Sequence, residues 1–266
     1  SLIAVTGPAN CTTMQLNFKT YGQGSALIVL HGLFGSLDNW ATHARQWEMR
    51  FSVYLVDQRN HGRSPHHPDW SYAVMAEDLH EFMDQQGIFS AHLLGHSMGG
   101  KPAMQFACEY PERVEKLIIA DMAPRAYPPH HDEILAALDG LDLSALDSRQ
   151  AADSLLGQRI SDPAVRQFLL KSLAREEASD AFRWKFNLPV IAQKYEEILR
   201  AIEPEFPFEK PALFISGGRS GYIRPEDHAR ILEIFPDARF EVIPEAGHWL
   251  HAEAPAQFLA IVNDFL

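Results

Sequence analysis

Residues 93–103 read LLGHSMGGKPA, and no other stretch narrows the possible folds of this chain as much. An apolar run ends in Gly95-His96-Ser97-Met98-Gly99, a G-x-S-x-G pattern, and the following GGKPAMQFACEY has helical spacing. A serine on a sharp strand-to-helix turn needs glycines two positions before and two after it, because the two backbones approach closely there. The same turn would stand Ser97 Oγ at the sheet edge and aim the Met98 N–H at negative charge developing on a bound acyl group. Ser97 is therefore a candidate nucleophile, and Met98 a candidate half of an oxyanion hole.

Two other readings share this stretch. A serine N-cap with glycines for close packing would account for the pentapeptide alone. GHSMGGK also satisfies the glycine and lysine positions of the phosphate-binding pattern G-x-x-x-x-G-K-[ST], but Pro102 stands where a hydroxyl must hold Mg²⁺. Lys101 is then expected to be a solvated or locally paired helix residue.

The surroundings favour catalysis. Short apolar runs recur at 14–22, 26–32, 51–59, 91–97, 114–121, 212–218 and 239–245, with amphipathic stretches between them. This alternation predicts an α/β fold with a mostly parallel, doubly wound sheet. YAVMAEDLHEFMDQQG, residues 72–87, places Val74, Met75, Leu79, Phe82 and Met83 at helical spacing and ends at Gly87. The alternation fails between about Pro124 and Pro207, where the chain is helix-like, punctuated by proline and without a convincing central strand. We read a helical cap at 124–207, inserted after the sixth core strand, between core segments 1–123 and 208–266. A cap leaving the carboxyl end of a sheet sits over the ligand crevice.

Composition removes other classes. A net charge of −12 lacks the basic footprint that nucleic acid or an anionic membrane requires. The longest apolar runs fall far short of the roughly 20 residues that span a bilayer, so no membrane insertion is expected. Two cysteines, Cys11 and Cys108, give neither a disulfide framework nor a zinc site, and the expected location is cytoplasmic. The pairs His66-His67 and His130-His131 lack the further spaced ligands a metal needs. DQRNHGRSP, residues 57–65, reads as a hydrogen-bonded loop at the sheet edge. A small molecule is the expected partner, for a monomer or small homo-oligomer.

The remaining parts of an acyl-transfer site occur where such a fold needs them. VLHGLFGS, residues 29–36, follows a strand, and the N–H of Leu33, or else Phe34, can complete the oxyanion hole. IPEAGHWLHAEAP, residues 243–255, puts His248 after the last strand as the base. His251 is its local rival, and the His96 side chain is expected to point away from Ser97. The acid is open. FISGG is followed by Arg219, Ser220 and Gly221, so no carboxylate stands there, and Asp227 falls in the next helix's first turn. Asp121, ending KLIIAD one strand beyond the nucleophile strand, is the substitute. Phe34, Arg125, Trp184 and Trp249 are candidate substrate contacts, with Phe182, Phe186 and Leu188 further candidates for the acyl wall and Arg125 for phosphate.

Taken together, HGLFGSLDNW, DQRNHGRSP, GHSMGGKPAM, DMAP, HHDEI and AGHWLHAEAP resemble the α/β-hydrolases, specifically the bacterial YbfF-type esterases and the abhydrolase-domain-11 proteins, from about residue 14 to 266. The resemblance implies a serine carboxylesterase acting on short-chain acyl esters, with acyl-CoA or other thioesters as further substrates, and no cofactor. It carries Ser97 and His248 over directly and is consistent with Asp121 as the acid. A C–C bond hydrolase or perhydrolase on the same triad, and a non-catalytic receptor or scaffold, are the rival functions.

Overall fold

A computed structural model describes residues 13–266; Cys11 lies outside them. Seven strands form one sheet: β1 (Phe18–Tyr21), β2 (Ser25–Leu30), β3 (Phe51–Val56), β4 (Ala91–His96), β5 (Val114–Ala120), β8 (Ala212–Gly217) and β9 (Ala238–Ile243). Their spatial order is β1-β3-β2-β4-β5-β8-β9, with β1 antiparallel to β3 and every other pair parallel. The chain is thus an α/β hydrolase fold with a mostly parallel sheet. Parallel strands covered on both faces must be apolar throughout, and Leu27 to Leu30 of β2 are all buried. Each such side chain contributes about 1.5–3 kcal/mol. The last strand is an edge and is covered only in part: Ala238 and Phe240 are half-buried, whereas Arg239, Glu241 and Val242 are exposed.

Helices cover the two faces. α2 (Tyr72–Gln85) and α3 (Gly100–Glu109) pack on one side, and α1 (Ala41–Trp47) with α11 (Pro255–Phe265) on the other. Ser71 caps α2, accepting the Val74 N–H at 3.3 Å, and the helix stops just before Gly87, whose φ is 67°. Asp57, following β3, holds its loop together by accepting from the N–H groups of Leu37 and Arg63 and from Asn17 Nδ2. Beside it, Arg59 makes a buried bidentate pair with Asp78 at 2.6 and 2.7 Å.

Between β5 and β8 the chain forms α4 (Asp132–Asp139), α5 (Arg149–Leu156), α6 (Pro163–Leu170), α7 (Leu188–Gln193) and α8 (Tyr195–Ile198). It also forms an antiparallel hairpin, β6 (Leu173–Arg175) with β7 (Phe182–Trp184). Those strands are three residues each, too short for a period-2 pattern, so the purely helical expectation missed them. Among the described strands five, not six, precede this excursion. The final stretch adds α9 (Asp227–Ile234) and α10 (Leu250–Glu253). No helix among the described residues is long and apolar enough to cross a membrane.

Lys101 is not solvated. It is fully buried in α3, where Nζ donates to the carbonyls of Arg125 and Arg200, both at 2.6 Å, and lies over the rings of Tyr72 and Tyr127. Burial, helped by the charge of Arg125, pushes the ammonium down to about 7. Those carbonyls belong to the two points where the β5–β8 excursion leaves and rejoins the core, so this one side chain ties both to α3.

Candidate active site

The turn after β4 is as tight as its glycines imply. A Cβ on Gly95 would sit 2.3 Å from the Gly99 carbonyl oxygen, and one on Gly99 would sit 2.4 Å from that of Leu30. Ser97 itself is held at φ 54°, a left-handed conformation that side-chain-bearing residues rarely adopt. The chain then passes through a single 3₁₀ turn, Ser97–Gly99, into α3.

This geometry brings Ser97 Oγ to 2.7 Å from His248 Nε2. His248 lies in the loop between β9 and α10, and its Nδ1 donates to Asp121 Oδ2 at 2.6 Å. Asp121 follows β5 directly, is fully buried and is also held in the left-handed region, at φ 53°. Its carboxylate is further satisfied by the Gly217 N–H at 3.1 Å and by Ser220 Oγ at 2.5 Å. An oriented imidazole between a hydroxyl and a buried carboxylate can take the hydroxyl proton and stabilise the resulting cation. Asp227 is elsewhere, paired with Arg125 at 2.9 Å in the first turn of α9.

The rival histidines have other tasks. His251 stacks on Trp40, centroids 4.3 Å apart, and its carbonyl accepts from His43. His96 Nε2 donates to the His248 carbonyl at 2.8 Å, which steadies the loop carrying the base. Burial, together with the charge of His248, pushes His96 down to about 3, so it stays neutral.

The loop after β2 reaches the same point, since a Cβ on Gly32 would lie 3.2 Å from Ser97 Cβ. His31 fixes that loop: Nδ1 donates to the Gly32 carbonyl and Nε2 accepts the Gln58 N–H. Phe34, at φ 64°, spends its N–H on His61 Nε2 at 3.1 Å. With the Phe34 N–H so committed, Leu33 is the remaining candidate of the two for the oxyanion hole.

Around Ser97 and His248 is a cavity of about 70 Å³, walled by Phe34 and Trp249 from the core and by Ile134, Val165, Phe168 and Leu169 from the excursion. Trp184 and Arg125 do not reach it. Trp184 stacks on Phe186, and Phe186 in turn meets Phe34 edge-on, so both aromatics form a second layer. Phe182 and Leu188 are likewise outside the wall. Arg125 is committed to Asp227, the carbonyls of Gly221 and Tyr222 and the ring of Tyr127. Sequence reasoning also missed Ser220 and Tyr222. Ser220 stands where a carboxylate was sought, and Tyr222 stacks on His248 with centroids 3.9 Å apart; neither belongs to a pattern readable along the chain.

Comparison with known proteins agrees with this geometry. The family described as alpha/beta hydrolase fold matches residues 25–255. Esterase YbfF of Escherichia coli is 40% identical over 243 residues, covering 91% of this chain and 93% of that protein. The sn-1-specific diacylglycerol lipase ABHD11 of Mus musculus is 38% identical over 249 residues, covering 91% of this chain and 80% of that protein. The solved structure of a marine microorganism esterase is 45% identical, superposes with a TM-score of 0.93, and the match covers 95% of this chain and 100% of that one. With a Ser-His-Asp network built on this fold and with esterases among its relatives, the chain belongs to the α/β-hydrolase family as one of its serine ester hydrolases.

Proposed function

We propose that the protein hydrolyses carboxylic esters of short acyl chains through an acyl-Ser97 intermediate, with His248 as base and Asp121 as acid partner. His248 Nε2 takes the Ser97 proton as Oγ attacks the ester carbonyl, and the N–H groups of Leu33 and Met98 receive the oxyanion. The imidazolium, held by Asp121, returns its proton to the departing alkoxide, and the alcohol leaves. Water then repeats the sequence on the acyl-enzyme: His248 takes its proton, the hydroxide adds to the carbonyl, and Ser97 departs reprotonated with release of the carboxylic acid.

The observation that carries this reading is the continuous line from Ser97 Oγ through His248 to Asp121, at 2.7 and 2.6 Å. The volume of the cavity limits the acyl chain. The cavity of about 70 Å³ is roughly half the ~150 Å³ apolar cavity that admits benzene, so a few methylenes fill it. No lysine or arginine lines the pocket to meet a phosphate, and Arg125 is already neutralised, which favours plain esters over acyl-CoA. A p-nitrophenyl ester series from acetate to palmitate tests both points. Rates should peak at short chains, and rates still rising at palmitate would contradict the pocket assignment.

A further inference from the structure

The hydrogen bonds around His131 fix which of its nitrogens carries a proton. Tyr195 Oη accepts the backbone N–H groups of His130, at 3.1 Å, and of His131, at 3.0 Å. A hydroxyl oxygen has two acceptor sites, and both are filled. Its one O–H therefore goes to His131 Nδ1, 2.6 Å away, which must be an unprotonated acceptor. Burial, with His130 and His248 adding to it, pushes His131 down to about 3, so the ring is neutral at any ordinary pH. A neutral imidazole with a bare Nδ1 carries its proton on Nε2.

His131 lines the cavity with Ser97 and His248, whereas Tyr195 does not. With Nδ1 turned to Tyr195, the ring presents its opposite edge to the cavity, and Nε2 has no protein partner among the described residues. Phe34, a residue of the apolar wall, meets this ring edge-on at 6.5 Å. A donor in a mostly apolar wall is satisfied by a substrate oxygen and left bare by a methylene, and that difference is what confers selectivity.

We propose that His131 is a specificity-determining residue whose tautomer-locked Nε2–H binds an acceptor oxygen beyond the reacting ester group, so that the enzyme prefers oxygen-bearing esters over their all-carbon counterparts. The proposal rests on the esterase reading above. Its substrate class is esters carrying an ether, ketone or second ester oxygen in the acyl or the alcohol arm.

Two isosteric pairs test it: p-nitrophenyl methoxyacetate against the butyrate for the acyl arm, and 2-methoxyethyl butyrate against butyl butyrate for the alcohol arm. The quantity read is the ratio of kcat/KM for the oxygen-bearing ester to that for its partner, compared between wild type and variant so that intrinsic reactivity cancels. His131→Phe should lower this ratio about five- to tenfold in one arm, and His131→Gln, which keeps an amide donor, should restore part of it. Ratios unchanged within about twofold in both arms would overturn the proposal, as would an equal fall on every ester. Because either variant can disturb the fold, ¹⁵N NMR of the histidine rings in the wild type supplies a second reading. His131 should be protonated on Nε2 alone at pH 7, and an Nδ1–H tautomer or a cation would overturn the proposal. Failure of the wild type to hydrolyse any of the four esters would instead refute the esterase reading itself.

Discussion

Asp121 and His248 meet at 2.6 Å although 127 residues separate them in the chain. The carboxylate comes from the end of β5, next to the nucleophile strand, and the imidazole from the loop after the edge strand β9. Asparagine tolerates the left-handed backbone of this site as aspartate does, so Asp121→Asn changes the charge and little else. It should lower kcat about 10⁴-fold with the fold retained. Asp227→Asn should instead cost about 1–3 kcal/mol of stability, between the surface and buried limits for an ion pair, with kcat nearly unchanged. Measuring kcat and thermal midpoint on both variants checks the assignment, and the opposite pattern would move the acid to Asp227.

Tyr222 lies face to face with the His248 ring, 14° from parallel, and its hydroxyl donates to His130 Nε2 at 2.5 Å. An aromatic face both fixes the imidazole and favours the cation it becomes. Tyr222→Phe keeps the face, and Tyr222→Leu removes it. The leucine variant should lose about five- to tenfold in kcat relative to the phenylalanine variant, equal to roughly 1 kcal/mol of stacking and cation–π energy. Equal kcat values in the two variants would deny the ring any role beyond filling space.

Phe168 packs against Trp249 with centroids 4.9 Å apart, closing one side of the cavity. Phe168→Ala should enlarge the pocket and move the preferred acyl chain two or more carbons longer, read from the same ester series. An unchanged optimum would mean that the acyl chain lies along a different wall.

Lys101 makes stability depend on pH. It titrates at about 7 in the folded chain and at 10.5 when free of the fold. Across that window the unfolded chain holds a proton that the folded chain has released, so stability rises with pH. Lys101→Met removes this rise. It also orphans the carbonyls of Arg125 and Arg200, at a cost of about 1–3 kcal/mol for each group left unsatisfied. Denaturant midpoints at pH 7 and pH 9 should increase for the wild type and stay level for the variant; the same slope in both would assign the titration to another group.

The same residue shows where local pattern stops informing. The parallel strands and the Ser97 turn were legible because apolar runs and glycine spacing are written in adjacent residues. Lys101 was not, because the carbonyls that receive its ammonium lie 24 and 99 residues away. His248 could be placed by its position after the last strand. Asp121 could be placed only through strand order, which the absence of a carboxylate after FISGG pointed to without proving. Arg125 and Trp184 were misplaced for a common reason: hydropathy and charge mark residues fit for a pocket, but each had a closer partner, Asp227 for one and Phe186 for the other. The wall contributed by α4 and α6 depends on how the excursion folds back over the sheet, which none of its short helices specifies alone.

The central claim is that Ser97 is the nucleophile, and its most direct test is the hydrolysis rate of Ser97→Ala on p-nitrophenyl butyrate. Alanine meets the same backbone strain as serine at φ 54° and removes a single oxygen, so the variant should fold with a thermal midpoint close to wild type. Its kcat/KM should fall below about a thousandth of the wild-type value, the residue of activity left by binding and the oxyanion hole. A folded variant retaining more than that would contradict the acyl-Ser97 mechanism.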